Sequence, residues 1–153
     1  RWPRLVRAAV LLGCEHHEAE DVVQATLTRC LIKWSRVSRA DDRDAYVHRI
    51  LVRTFIDSRR RRWIGERPTA DLPEDAVLDG TAEVDLRDSL DRSLARLSTE
   101  QRMAVVLRYY LHLTEHQMAT ALDVAPGTVK SRLSRALAAL AVDPDLAQAQ
   151  EPS

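Results

Sequence analysis

Between Ala19 and Trp34 the apolar positions Ala19, Val22, Val23, Thr26, Leu27, Cys30, Leu31 and Trp34 recur at intervals of three and four residues. About four turns of helix keep such a stripe on one face, and no strand can. The same period returns elsewhere. Leu5, Ala8, Ala9 and Leu12 predict a short first helix ended by Gly13. Val47, Ile50, Leu51, Thr54 and Phe55 predict the buried side of a helix from about Asp42 to Trp63. Only four glycines, six prolines and few strand-favouring runs accompany these patterns, so the expectation is an all-α fold.

From Gly65 to about Val84 the period fails, and Gly65, Pro68, Asp71, Pro73, Asp79 and Gly80 punctuate the chain. This stretch is expected to be a flexible linker between two small helical domains, residues 1–64 and 86–142, with a frayed tail over 143–153. Charge divides the same way. Residues 1–64 carry 14 Lys/Arg against 8 Asp/Glu, residues 65–97 carry 4 against 9, and residues 98–142 carry 5 against 3. Two basic blocks around an acidic one suit two modules that meet polyanions. The apolar runs are too short to cross a bilayer, and no signal-peptide pattern is seen. Cys14 and Cys30 form no disulfide framework. These features predict a cytoplasmic protein with no membrane partner.

The second half carries its own helix signals. Leu86, Leu90, Leu94 and Leu97 open it. Ser98-x-x-Gln101 and Thr114-x-x-Gln117 have the form of capping boxes, in which side chain and backbone satisfy each other's orphan donors. The first should head a helix burying Met103, Val106, Leu107, Tyr110 and Leu111; the second, a short helix burying Met118, Ala119 and Leu122. After Asp123-Val124-Ala125, Pro126 suits the first position of a last helix burying Val129, Leu133, Ala136, Leu137 and Leu140.

Cys14, His16, His17 and the carboxylates Glu15, Glu18, Glu20 and Asp21 invite a metal or acid–base reading. Adjacent histidines diverge by about 100° on a helix, and no second cysteine–histidine cluster completes a site. The stretch reads as a helix start, with acidic groups where the helix dipole favours them. The expectation is no metal, no cofactor and no catalytic residue. Asp21, Gln24 and Thr28 form a polar row away from the apolar stripe, either a solvated face or a docking surface.

Residues 114–140 have the layout of a helix-turn-helix, a short helix and a tight turn before a longer one. On a wheel of the last helix, Gly127, Ser131 and Arg135 lie opposite the apolar side, Thr128 and Ser134 at its borders, and Lys130 and Arg132 on the flanks. Small residues permit close approach to base edges, arginine can pair with guanine, and flanking cations suit phosphates. The helix near Asp42–Trp63 places Arg43, Arg49, Arg53 and Arg59 to Arg62 among Tyr46, His48, Phe55 and Trp63. Cations interleaved with rings suit phosphate neutralisation and stacking on unpaired bases.

In order and spacing these segments resemble the extracytoplasmic-function sigma factors of bacterial RNA polymerase, especially the actinobacterial branch. The resemblance rests on Ala19-Glu20-Asp21-Val22-Val23-Gln24, Ala45-Tyr46-Val47-x-Arg49-Ile50-Leu51-Val52, Leu107-Arg108-Tyr109-Tyr110 and Gly127-Thr128-Val129-Lys130-Ser131-Arg132-x-x-Arg135-Ala136-Leu137. It covers about residues 4–142. It implies a non-enzymatic subunit whose partners are core RNA polymerase (β′ and β), promoter DNA both duplex and melted, and an anti-sigma factor. By resemblance Asp21, Gln24, Leu27 and Thr28 would dock on polymerase. Tyr46, His48, Arg49, Arg53, Asp57, Arg60 and Arg61 would read and open the −10 element. Gly127, Thr128, Lys130, Ser131, Arg132 and Arg135 would read the −35 element.

The sequence departs from the family pattern in four places. Arg53 stands where asparagine is usual, Ala25 replaces an acidic residue, Asp123 occupies a common glycine position, and the N-terminus is short of the first helix turn. The alternative is a stand-alone helix-turn-helix regulator whose first half is a sensor or dimerisation module.

Overall fold

The computed structural model describes residues 2–65 and 82–144, side chains excepted for residues 63–65 and 82–86. Among the described residues there are helices and no strand. They are α1 (Trp2–Leu12), α2 (His16–Ile32), α3 (Trp34–Arg39), α4 (Arg43–Gly65), α5 (Ala82–Arg96), α6 (Thr99–Val105), a π-helical segment (Val106–Tyr110), α7 (Glu115–Leu122) and α8 (Pro126–Ala141).

The local signals act as expected. Gly13 ends α1 at φ +123°, a conformation that a side chain would strain. The Ser98 hydroxyl accepts from the Gln101 N–H at 3.2 Å, and Thr114 accepts from Gln117 at 3.1 Å; both boxes are reciprocated. Asp123 closes α7 in the left-handed region at φ 55°, which aspartate tolerates better than most residues. Pro126 occupies the first turn of α8.

The expectations fail at element ends and edges. The buried face of α2 is narrower than the stripe: with Ala19 as zero at about 100° per residue, Val22, Val23, Thr26 and Cys30 lie within about 60° of it, while Leu27 falls near 80° and Leu31 near 120°. Leu31 (73% exposed) and Leu27 therefore face solvent instead of a core, and Trp34 (54%) lies past the end of α2, on α3. Leu137 (43%) and Leu90 (37%) are also partly exposed. The expected linker is helical at both ends, at Gly65 and from Ala82; residues 66–81 lie outside the described residues. Asp143 is not part of a frayed tail. It is buried and accepts from Arg96 at 2.9 and 3.1 Å; residues 145–153 lie outside the described residues.

One hydrophobic core runs through both helical halves. Leu5, Leu12, Val23, Leu51, Val52 and Phe55 from the first half join Leu107, Leu113, Met118 and Val129 from the second. Helix α4 lies between α2 and α7, and α1 packs on α6 and the π-helical segment. Polar contacts cross the same boundary. Arg102 on α6 donates to the carbonyls of Leu11 (2.5 Å) and Val10 (3.3 Å) at the end of α1, the latter also accepting from the Gly13 N–H at 3.0 Å. Arg7 on α1 pairs with Asp91 on α5 at 3.1 Å, and Arg4 donates to the Tyr110 carbonyl at 3.2 Å.

Candidate nucleic-acid interface

Helix α8 turns one side to the core through Val129, Leu133 and Ala136. The opposite side presents Gly127, Lys130, Ser131 and Arg135 to solvent. A Cβ at Gly127 would meet nothing within 4 Å, so no contact inside the chain requires a glycine there. Glycine weakens a helix relative to alanine. Its use on an outward face fits close approach by something external. Thr128 is half-buried at the helix start, its N–H donating to the Ala125 carbonyl at 3.0 Å. Arg132 differs from Arg135: its side chain is only 20% exposed and pairs with Glu100 at 3.5 Å. Lys130 approaches Glu115 at 4.0 Å. Arg135 is thus the arginine on this face with its head in solvent, while Arg132 is steadied at the flank.

On α4 the side opposite Leu51 and Phe55 is polar. Tyr46 is half-buried, and the Arg49 guanidinium lies over its ring at 4.9 Å. Arg53, Arg60 and Arg61 are exposed. Asp57 pairs with Arg29 of α2 at 3.0 Å, which orients that part of α4 on its neighbour. His48 is set apart from the row. It lines a cleft of about 370 Å³ with Arg4, Asp42, Asp44, Leu111 and His112, and its Nδ1 is buried with no hydrogen-bond partner. Burial pushes the His48 pKa down, against a weaker upward pull from Asp44.

The four residues of the expected docking row, Asp21, Gln24, Leu27 and Thr28, are all exposed on α2. The Thr28 hydroxyl donates back to the Gln24 carbonyl at 3.0 Å. Reading the stripe as buried missed what continues the row: Leu31, Ile32 (78% exposed) and Trp34 extend it into an apolar surface of the kind that marks protein contacts. Glu100 and Arg29, which steady Arg132 and Asp57, are long-range partners that no local pattern reveals.

In the stretch around Cys14, the potential ligand atoms of Glu15, His17 and Glu18 lie within 4.8 Å of one another. Two of the three residues are exposed, and Glu18 is ion-paired to Arg62. Cys14 is buried, and that burial drives its pKa up to about 11 against the pull of Arg59, so the thiol stays protonated at neutral pH.

The chain matches the family description "Sigma-70 region 2" over residues 2–64 and "Sigma-70, region 4" over residues 87–140. It is 36% identical over 140 residues to an RNA polymerase sigma-E factor of Streptomyces coelicolor, covering 92% of this chain and 79% of that protein. It is 34% identical over 149 residues to the ECF RNA polymerase sigma factor SigL of Mycobacterium tuberculosis, covering 89% of this chain and 80% of that one. Its fold is similar to that of the sigma factor RpoE crystallised with the anti-sigma factor NepR from Bartonella quintana. That match has a TM-score of 0.70 and 26% identity over 98% of this chain and 93% of that one. It also resembles CnrH in complex with the cytosolic domain of CnrY, at TM-score 0.61 and 22% identity over 97% and 82% of the two chains. With both regions matched in order and relatives aligned along most of its length, the chain belongs to the extracytoplasmic-function sigma factors of the sigma-70 family.

Proposed function

We propose that this chain binds core RNA polymerase through α2, opens the −10 element along α4 and reads the −35 element with α8. Residues 1–64 and 86–142 are the two working units, and residues 65–85 are the connection between them. The subunit supplies binding energy and no catalysis; bond making belongs to the polymerase. It works in the cytoplasm, and no described helix is long and apolar enough to cross a membrane.

The observation that carries this reading is the outward face of α8. Gly127, Ser131 and Arg135 stand clear of the core on the second helix of a capped helix-turn-helix, the helix that enters the major groove in such motifs. Exposed Arg53, Arg60 and Arg61, with Arg49 stacked on Tyr46, give α4 cations and a ring for an unpaired strand. Asp21, Gln24, Leu27 and Thr28 form the polymerase-docking row, extended by Leu31 and Trp34. An anti-sigma factor is a further partner, as in the solved complex of RpoE with NepR.

The deciding experiment is transcription in vitro with core polymerase of the source organism. The expected result is a transcript that requires both promoter elements and this chain. Core association without promoter-specific initiation from any cognate promoter would refute the proposal.

A further inference from the structure

We infer that the chain carries a binding site for a phosphate dianion, free or as a phosphomonoester, between the guanidinium groups of Arg59 and Arg102 above the bare Cα of Gly13. Nothing in the function proposed above requires this site, so the failure of one leaves the other intact.

The floor of the site is the end of α1. The Gly13 N–H donates to the Val10 carbonyl at 3.0 Å and the Cys14 N–H to the Ala9 carbonyl at 3.1 Å, the pair of bonds that closes a helix on a positive-φ glycine. At φ +123° a side chain would be strained, so the surface over Gly13 stays open. Two cations border it. A Cβ at Gly13 would stand 3.3 Å from Arg59 Nη2 and 3.8 Å from Arg102 Nη1, so those nitrogens are at most about 7 Å apart. Charge-assisted bonds run about 2.8 Å, short enough for one tetrahedral oxyanion to lie between the two nitrogens and accept from both.

Both guanidinium groups are held in place with donors to spare. Arg102 donates from Nε to the Leu11 carbonyl at 2.5 Å and from Nη2 to the Val10 carbonyl at 3.3 Å. Its Nη1 has no hydrogen-bond partner among the described residues. Arg59 reaches over from α4 with its guanidinium 5.3 Å above the Phe55 ring, and its Nη2 donates to the Gly13 carbonyl. Each group offers more N–H donors than these bonds use. Stacking and carbonyl bonds fix the forks before any anion arrives, which lowers the ordering cost of binding one.

Charge at the site is unbalanced. Among the described residues neither Arg59 nor Arg102 forms an ion pair. The carboxylates nearby are engaged elsewhere, Glu18 with Arg62 and Asp91 with Arg7. The helix end supplies only about half a negative charge. Both cations are half-buried; burial lowers the Arg102 pKa, Asp91 opposes that effect and Arg59 adds to it. Two like charges withdrawn from water are costly until an anion sits between them. A phosphomonoester brings nearly two negative charges at neutral pH, which matches the pair. A backbone phosphodiester brings one.

The test is calorimetric titration of the full chain at pH 7.0 and fixed ionic strength. The probes are inorganic phosphate, adenosine monophosphate and, as the monoanionic diester, dimethyl phosphate. Phosphate or the nucleotide should saturate one site, the tighter of the two identifying the free ion or the monoester as the preferred form. Dimethyl phosphate should bind at least tenfold more weakly. Arg59→Lys and Arg102→Lys should each weaken binding at least tenfold, because a point charge cannot hold its carbonyl and present a fork to the anion together. Arg36→Lys, on the exposed side of α3, should change it less than twofold. In nitrogen–proton spectra of the wild type, the Arg102 Nε–H signal should move along the same saturation curve while that of Arg96, paired with Asp143, stays put. That readout needs no variant to fold. Absence of saturable binding overturns the inference. So does dimethyl phosphate binding as tightly as phosphate, or saturation that leaves the Arg102 signal unmoved.

Discussion

Val52 offers a direct measure of the core shared by the two halves. Its side chain is fully buried in the core that the two halves share, and it is absent from the apolar stripe predicted for α4. Val52→Ala removes two methyl equivalents. At about 0.8 kcal/mol each for transfer, plus a cavity term, the cost is roughly 2–3 kcal/mol, nearer the lower figure if α7 settles inward. A protein of this size has a urea m value of about 2 kcal/mol/M, so the unfolding midpoint of the full chain should fall by about 1 M. Arg53→Ala is the internal control, since the adjacent side chain is exposed and its loss should move the midpoint by less than about 0.3 M. The readout is helical circular dichroism against urea, with the m value checked to confirm that compactness is unchanged. Equal small shifts for the two variants would refute the reasoning. Val52 would then be solvated, with the halves apart in solution.

The other predictions concern the working surfaces. Arg135→Ala should lose roughly 1–3 kcal/mol of binding to the preferred upstream element by fluorescence anisotropy; an equal loss on every sequence would reduce it to a phosphate contact. Gly127→Ala should raise stability by up to about 1 kcal/mol, because nothing inside the chain fills the added space, yet weaken duplex binding. Unchanged binding would remove the reason offered for that glycine. Asp21→Ala with Gln24→Ala should weaken association with core polymerase in pull-down while helix content stays constant. Collapse of the helix signal would make the row structural.

His48 sets the pH response. Burial lowers its pKa in the fold, so the unfolded chain binds the proton more readily between the two values. Stability from this group is full above about pH 6.5 and is lost as pH falls below it. Asp44 and Asp42 oppose the effect, and Arg4 and His112 add to it. The urea midpoint should drop from pH 7.5 to 5.5, and His48→Gln should shrink that drop. An unaltered pH dependence would show that other groups carry it.

Much of this molecule was legible before any coordinates. Apolar spacing places the helices, and paired Ser/Thr and Gln side chains place two of their starts. Asp123 marks the turn where a left-handed residue is needed, and the outward residues of α8 follow from one helical wheel. Those are local effects, decided within four or five residues. What stayed hidden depends on distant partners. Val52 lies off its helix's predicted stripe and is buried in the core that the two halves share. Arg102 reads as a solvated charge until the end of α1 supplies its acceptors, 91 and 92 positions away. How wide the buried arc of α2 is depends on what packs against it, so Leu31 stays outside, and Trp34 is exposed on α3.

The sandwiching of α4 also has a consequence in time. Contacts within each half are local and form fast, whereas docking joins segments remote along the chain and comes last. A ribosome finishes α4 at Gly65 and reaches the end of α7 at Leu122 only 57 residues later, roughly 3–11 s at ordinary synthesis rates. During that interval the first half exists with its α4 flank bare. Stalled nascent chains ending just before α6 should be cut by protease near Val52 far faster than the released protein. Equal resistance would mean that the flank is covered from within the first half.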